Sequence, residues 1–162
     1  MTTLTKTPTT PKTPATAKDA IALLKADHAA VSGLFADYEK TNSSNKKKAL
    51  VAEICSELSV HAQIEEEIFY PAVKAALKDK LLIPEATVEH GGIKDLIAQL
   101  EGVEPDGAIY DAKVQVLSEY VEHHVKEEQN EMFPKVKASS LDLVELGTRM
   151  AARKADLLAA RA

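Results

Sequence analysis

Four histidines and two glutamates recur along the chain at spacings that suit metal binding. His61 and His124 are each followed by a glutamate four residues later, whereas His28 and His90 stand alone. Residues four apart on a helix lie on the same face, so each His–Glu pair can address one centre. Because burying such groups without partners costs several kcal/mol for each ion, a metal is the simplest compensation. The predicted ligands are His28, His61, Glu65, His90, His124 and Glu128.

The elements that carry these side chains are predicted to be helices. Apolar residues recur at intervals of three or four residues and define one face on each of four segments. The segments span roughly 18–40, 46–77, 84–101 and 108–138. Pro71 removes a backbone donor from the second helix and predicts a kink there. A fifth helix is predicted over roughly 141–160, with Ser139 or Ser140 as its N-cap.

An internal repeat relates the two halves of the chain. The segment HAQIEEEIFYPAVKA at 61–75 matches HVKEEQNEMFPKVKA at 124–138, and the segment at 27–39 resembles that at 89–101. Shared packing rules would explain common apolar positions in two hairpins, but they do not explain a shared core histidine. The repeat therefore predicts one helical hairpin used twice, which gives an all-α, antiparallel, up-down four-helix bundle.

Length and composition restrict the function classes. The chain has 162 residues, a net charge of −5 and one cysteine, Cys55. One domain is expected, over residues 18–162, and no nucleic-acid partner. A lone cysteine excludes an intrachain disulfide and favours a reducing, cytoplasmic location. No apolar run approaches the ~18 residues of a membrane span. Residues 1–17 contain eight Thr and three Pro and are predicted to be a disordered tail.

The donor types indicate which metals fit. Imidazole and carboxylate together suit iron, manganese or zinc rather than calcium. Six ligands are too many for one tetrahedral zinc ion. They suit two metals, with both glutamates bridging and two histidines on each metal.

This arrangement resembles the hemerythrin-like family, the HHE cation-binding domains. The family has a histidine on its first and third helices and His-x-x-x-Glu on its second and fourth, and the six predicted ligands match that pattern. The segment HHVKEEQNEMFP also resembles the family's fourth-helix signature. The resemblance covers about residues 18–160 and implies two iron ions, bridged by the two carboxylates and by an oxo or hydroxo group.

The chain departs from the oxygen-carrying members, which use five histidines and two carboxylates. Only four histidines fit here, because His123 points about 100° around the helix from His124 and is expected outside the metal shell. The missing imidazole leaves a position for water, a tyrosine or an exogenous ligand. Tyr120, one turn before His124, is expected in the core, with a place near or on the metal as the alternative.

Other residues near the ligands carry weaker expectations. Asp27, Glu89, Glu66, Glu67 and Glu127 are expected to face solvent, although Glu66 could approach the ligands. The glycines after His90, Gly91 and Gly92, are expected to permit close helix packing, with space for a diatomic ligand as the alternative. Cys55 is expected to be a buried apolar residue.

The resemblance implies a non-haem di-iron protein that binds or reacts with O2, NO or peroxide, as carrier, sensor or scavenger. The histidine count favours peroxide chemistry, including catalase-like scavenging, NO binding or redox sensing over oxygen storage. The alternative is an iron-responsive or structural interaction module in which the metal mainly stabilises the bundle. A ferritin-type oxidase is disfavoured because that class uses mostly carboxylates and Glu-x-x-His pairs. Zinc hydrolase chemistry is disfavoured because His-Glu-x-x-His is absent from the sequence.

Overall fold

The computed structural model describes residues 19–162, and over that range its regular elements are all helical. Four antiparallel helical rods form a bundle, and a fifth helix packs on its side, as predicted. The predicted tail, 1–17, lies outside the described residues. The elements are α1 (Ala20–Lys40), α2 (Ser44–Ile64), π1 (Glu65–Phe69), α3 (Tyr70–Ala76), α4 (Leu82–Leu100), α5 (Ala108–Glu127), π2 (Glu128–Met132), α6 (Phe133–Lys137) and α7 (Leu143–Arg161).

Side-chain caps fix where several helices begin. Asp19 accepts a hydrogen bond from the amide of Ala22 at 2.7 Å and starts α1. Asp142 accepts from the amide of Glu145 at 3.0 Å and starts α7. The predicted cap at Ser139 or Ser140 is therefore wrong by two residues or more. The hydroxyl of Ser139 instead donates to the carbonyl of Val136, at the end of the preceding helix.

The second rod of the bundle consists of α2, π1 and α3, and the fourth consists of α5, π2 and α6. Neither is the uninterrupted helix that the apolar periodicity predicts. Each contains a π-helical turn that begins at the glutamate of its His-x-x-x-Glu pair, Glu65 or Glu128. Pro71 and Pro134 are each the second residue after one of these turns, and neither can donate the backbone hydrogen bond of a regular helix. The wide turns therefore lie where the hydrogen-bond ladder is already interrupted. Single π turns of this kind are frequent at functional sites.

The core forms two apolar clusters with a polar layer between them. One cluster contains the start of α1 together with π1, α3, α6 and α7. The other contains the second half of α1, most of α2 and the facing parts of α4 and α5. The buried polar and charged residues are Asp27, His61, Glu65, His90, His124 and Glu128. Burial of apolar surface on both sides therefore holds this polar layer inside the bundle.

The C-terminal helix closes one side of the bundle. Leu146 and Met150 of α7 belong to the first apolar cluster, and α7 packs against α1, α2 and π1. Within residues 19–162, none of the helices has both the length and the apolar character needed to cross a bilayer.

Candidate metal centre

The six predicted ligands converge at one level of the bundle. His28 and His90 lie in the middle of α1 and α4, whereas the two His–Glu pairs lie where α2 and α5 pass into their π turns. The carboxylates are deepest, with Glu65 0% and Glu128 2% exposed. The repeat of one hairpin thus brings one lone histidine and one His–Glu pair from each half to a common point.

The ligand atoms divide into two groups, each compact enough to hold one cation. His28, His61 and Glu128 offer atoms that all lie within 4.8 Å of one another. Glu65, His90 and His124 form the second group under the same limit. Each group contains two imidazoles and one carboxylate.

Each carboxylate also reaches the other group. Oε1 of Glu65 lies 3.0 Å from Nε2 of His61 and 3.4 Å from Nε2 of His90. In Glu128, Oε1 lies 3.3 Å from Nε2 of His28, and Oε2 lies 3.2 Å from Nε2 of His124. Both carboxylates therefore face one imidazole from each group, which is the arrangement that bridging ligands require.

Several of these buried atoms have no hydrogen-bond partner. They include Nε2 of His28 and His61, both oxygens of Glu65 and Oε1 of Glu128. Unpaired polar atoms in a closed core are costly, and ligation of one cation by each group would satisfy them. The donor set and its unsatisfied atoms consequently fit a metal centre.

The carboxylates strongly influence the buried imidazoles. Burial acts to lower the pKa of His61, but the nearby charge of Glu65 and the hydrogen bond with Asp27 raise it to about 10. Burial likewise opposes the effect of Glu128 on His124, whose pKa rises to about 9. In the absence of a cation these imidazoles hold protons, so metal binding must release them.

Two carboxylates expected to face solvent instead form hydrogen bonds with two of the predicted ligand histidines. Asp27 is only 5% exposed, and its Oδ2 accepts a hydrogen bond from Nδ1 of His61 at 2.9 Å. Oε1 of Glu89 accepts from Nδ1 of His124 at 3.0 Å. The expectation failed because each side chain points toward the neighbouring helix of its own hairpin. Such contacts fix the orientation of a ligating imidazole and leave Nε2 free for the metal.

Sequence reasoning missed Tyr70. Its buried hydroxyl donates to Oε2 of Glu128 at 2.7 Å and lies 3.2 Å from Nε2 of His124. Tyr70 comes five residues after Glu65. In a regular α-helix, residues five apart lie on different faces, whereas a π turn places them on the same face. The repeat places Phe133 at the matching position, and its ring stacks on His28 at 6.1 Å. The difference between Tyr70 and Phe133 at matching positions of the repeat is the sequence feature that could have identified Tyr70.

Tyr120 is not a core residue. It is 49% exposed, and its ring covers Gly92 on α4, where an added Cβ would lie 3.5 Å from Cε2 of the tyrosine. A Cβ at Gly92 would make only an ordinary van der Waals contact, and one at Gly91 would meet nothing within 4 Å, so close helix packing does not require either glycine. His123 lies at the surface, 67% exposed, outside both ligand groups.

The acidic residues after Glu65 form surface ion pairs. Glu66 contacts the ammonium of Lys94 at 2.6 Å and lies 3.7 Å from Nδ1 of His90. Glu67 pairs with Arg153 of α7 at 2.7 Å. The two ion pairs connect the π turn that begins at Glu65 to α4 and α7.

Comparison with known families agrees with this geometry. The sequence model of the Hemerythrin HHE cation binding domain matches residues 19–136. The chain belongs to the hemerythrin HHE cation-binding family. A crystal structure of an HHE cation-binding domain-containing protein from Mycobacterium kansasii superimposes with a TM-score of 0.73 at 30% identity, over 86% of this chain and 87% of that one.

Curated relatives fall into two groups. Uncharacterised proteins of Mycobacterium tuberculosis and Mycobacterium bovis are 31% identical over 135 residues, covering 81% of this chain and 82% of theirs. A DNA nickase of Nostoc sp. is 26% identical over 115 residues. This chain covers 71% of its own length in that match but spans only 32% of the nickase.

Proposed function

We propose that the six converging residues bind two iron ions and that the resulting centre binds or reacts with O2, NO or peroxide. The observation that carries this proposal is the position of the two carboxylates, Glu65 and Glu128, each within 3.4 Å of one imidazole from either ligand group. Two cations sharing both carboxylates would satisfy every ligand, whereas a single cation would leave donors unpaired.

Iron is supported by the donor set and by the family. Neutral imidazoles combined with carboxylates suit iron among the redox metals, and the family is a cation-binding one. When bound, a pair of ferrous ions supplies electrons and an open coordination position to a small ligand. Four histidines and two glutamates would hold the two ions and would leave such a position free.

A small cavity beside the histidines supports a small ligand. Its volume is about 30 Å³, and it is lined by all four ligand histidines together with apolar residues of the bundle. A space of this size holds about one water-sized molecule. The cavity therefore favours a diatomic molecule or peroxide and excludes larger organic substrates. The apolar lining residues include Val31, Leu58, Ile93, Val121 and Val125.

Tyr70 brings a hydroxyl group into contact with the centre. Burial and the charges of Glu65 and Glu128 raise the pKa of Tyr70 well above its ordinary value. The hydroxyl consequently keeps its proton at neutral pH and donates it in a hydrogen bond to Oε2 of Glu128. We infer that Tyr70 holds this carboxylate in place and can offer a hydrogen bond to a ligand in the centre.

The proposal is tested by metal analysis and optical spectroscopy of protein purified from iron-replete cells. About two iron ions per chain are expected, and anaerobic reduction followed by O2, NO or peroxide should change the spectrum. His124→Ala should lower the iron content, whereas His123→Ala, a neighbouring control of the same type, should not. One zinc ion per chain, or no metal after reconstitution, would refute the di-iron centre. Two iron ions without any spectral response would support the structural-module alternative.

A further inference from the structure

We propose a second, peripheral divalent-cation site on the surface of α4 and α5, formed by Glu89, His123 and Glu127. Their ligand atoms all lie within 4.8 Å of one another. Nε2 of His123 is 3.4 Å from Oε2 of Glu89 and 3.2 Å from Oε1 of Glu127. One imidazole and two carboxylates thus point at a common position outside the metal centre.

The fold places two of these ligands on one helix face and holds the third in position. His123 and Glu127 are four residues apart on α5, so they share one face of that helix. Glu89 comes from α4, and its Oε1 is already engaged by Nδ1 of the buried His124. That contact orients the carboxylate and directs its second oxygen, Oε2, toward His123. The site therefore has a ligand that is positioned before any cation arrives.

The first hairpin shows what the equivalent position requires. Asp27 matches Glu89 in the repeat, and its Oδ2 likewise engages Nδ1 of a ligand histidine, His61. The second oxygen of Asp27 pairs with the ammonium of Lys154, on α7. A cation thus neutralises the histidine-holding carboxylate of the first hairpin.

The second hairpin has no protein cation of that kind. Among residues 19–162, no Lys or Arg forms an ion pair with Glu89 or Glu127; the nearby Lys126 pairs with Glu122 at 3.2 Å. The chain instead places two further metal-binding side chains, His123 and Glu127, beside Glu89. A cation from solution would occupy the role that Lys154 has in the first hairpin.

The two halves of the chain differ in residue type at two of the three positions of this site. His123 and Glu127 match Val60 and Ile64, which are 2% and 0% exposed. The first pair of positions packs into the protein, whereas the second pair carries a histidine and a glutamate at the surface. The packing of α7 over α1 and α2 buries the first pair of positions, whereas the second pair is left at the surface, where a histidine and a glutamate are available to a cation.

The donors define the class of cation. One imidazole with two carboxylates suits Zn²⁺ or Mn²⁺ rather than a thiolate-seeking metal. His123 is 67% exposed at its side chain, so water can complete the coordination. The site is thus open and exchangeable, in contrast to the closed centre inside the bundle. A cation bound there would neutralise Glu89 and would act on His124 through their shared hydrogen bond.

The test uses Zn²⁺ as the probe and the full-length protein with its resident metals. After equilibrium dialysis against a low concentration of Zn²⁺, elemental analysis should find one zinc ion per chain beyond the resident metals. His123→Ala and Glu127→Gln should each lose that zinc ion. Glu122→Gln should retain it and is the matched control, because Glu122 is an exposed acid of α5 outside the cluster.

Three outcomes would overturn the proposal: no additional zinc in the wild-type protein, retention of the zinc in His123→Ala, or loss of resident metal in His123→Ala. The last would assign His123 to the central site instead. The comparison is independent of the di-iron proposal, because it depends on the zinc difference between wild type and variant. A central site that fails to hold iron leaves that difference unchanged.

Discussion

The carboxylate of Asp27 offers a sharp test of how the metal centre is held. Asp27→Asn removes no proposed ligand and preserves the shape of the side chain. It replaces a charged acceptor of the His61 Nδ1 proton with a neutral one, and it removes the charge that faces Lys154. Burial raises the pKa of Asp27, but His61 and Lys154 together hold it below its ordinary value of 3.8, so the native group is ionised.

The expected loss follows from the role of such contacts. Removing the partner that orients a metal-bound histidine typically costs 10- to 100-fold in metal affinity, which is about 1.4–2.8 kcal/mol. The ion pair contributes separately to stability. Lys154 is 27% exposed at its side chain, so solvent screens part of the charge, and we expect a loss of about 1–3 kcal/mol from the free energy of unfolding.

The assay is competition for iron with a graded chelator, followed by thermal unfolding of the metal-free and metal-bound forms. Asp37→Asn is the control, because Asp37 is an exposed acid on the same helix. The variant at Asp27 should release iron at clearly lower chelator concentration than wild type, and the control should not. If Asp27→Asn and Asp37→Asn compete equally with the chelator, the hydrogen bond to His61 does not support the metal.

Further predictions concern stability and reactivity. Removing the metals should lower the melting temperature, since binding energy to a site of buried charges appears as folding energy; equal melting curves by calorimetry would contradict this. Met150→Ala should lower the free energy of unfolding by about 2–4 kcal/mol, measured by chemical denaturation, because the side chain is fully buried between α7 and the bundle. A loss below about 1 kcal/mol, roughly that of a surface change, would show that α7 packs weakly on the bundle. Burial raises the pKa of the Cys55 thiol from 9.0 to about 11, so an aromatic disulfide reagent at pH 8 should modify it only after unfolding. The folded state keeps this proton longer than the unfolded state, so Cys55 should destabilise the fold as pH rises from 9 toward 11, an effect absent from Cys55→Ala.

The helical architecture was predictable because it follows from local patterns. Apolar periodicity, turn residues and the repeat of one hairpin were sufficient to place four rods and a fifth helix, with boundaries close to those observed. The convergence of the His and Glu side chains was predictable for the same reason, since each lies on the apolar face of its helix. Cys55 is buried, as its apolar surroundings indicated.

The π turns could not be obtained from periodicity. A single wide turn rotates the following residues around the helix axis by too little to disturb a short pattern of apolar residues. Both turns begin at a predicted ligand glutamate. That small change brings Tyr70 over Glu128 and His124. The position of Tyr120 was mispredicted for the same reason. A modest rotation around the axis of α5 decides whether this side chain lies in the core or is exposed over Gly92.

The fold class, the polar layer and the candidate ligands could be predicted because they depend on residue types repeated along single helices. The residues that surround the candidate ligands depend instead on how the helices pack. Asp27 and Glu89 contact predicted ligand histidines of neighbouring helices, and Lys154, 127 residues later in the chain, contacts Asp27 from α7. Contacts of this kind depend on how rods are rotated and offset against one another, and helical periodicity within each rod carries no information about that offset.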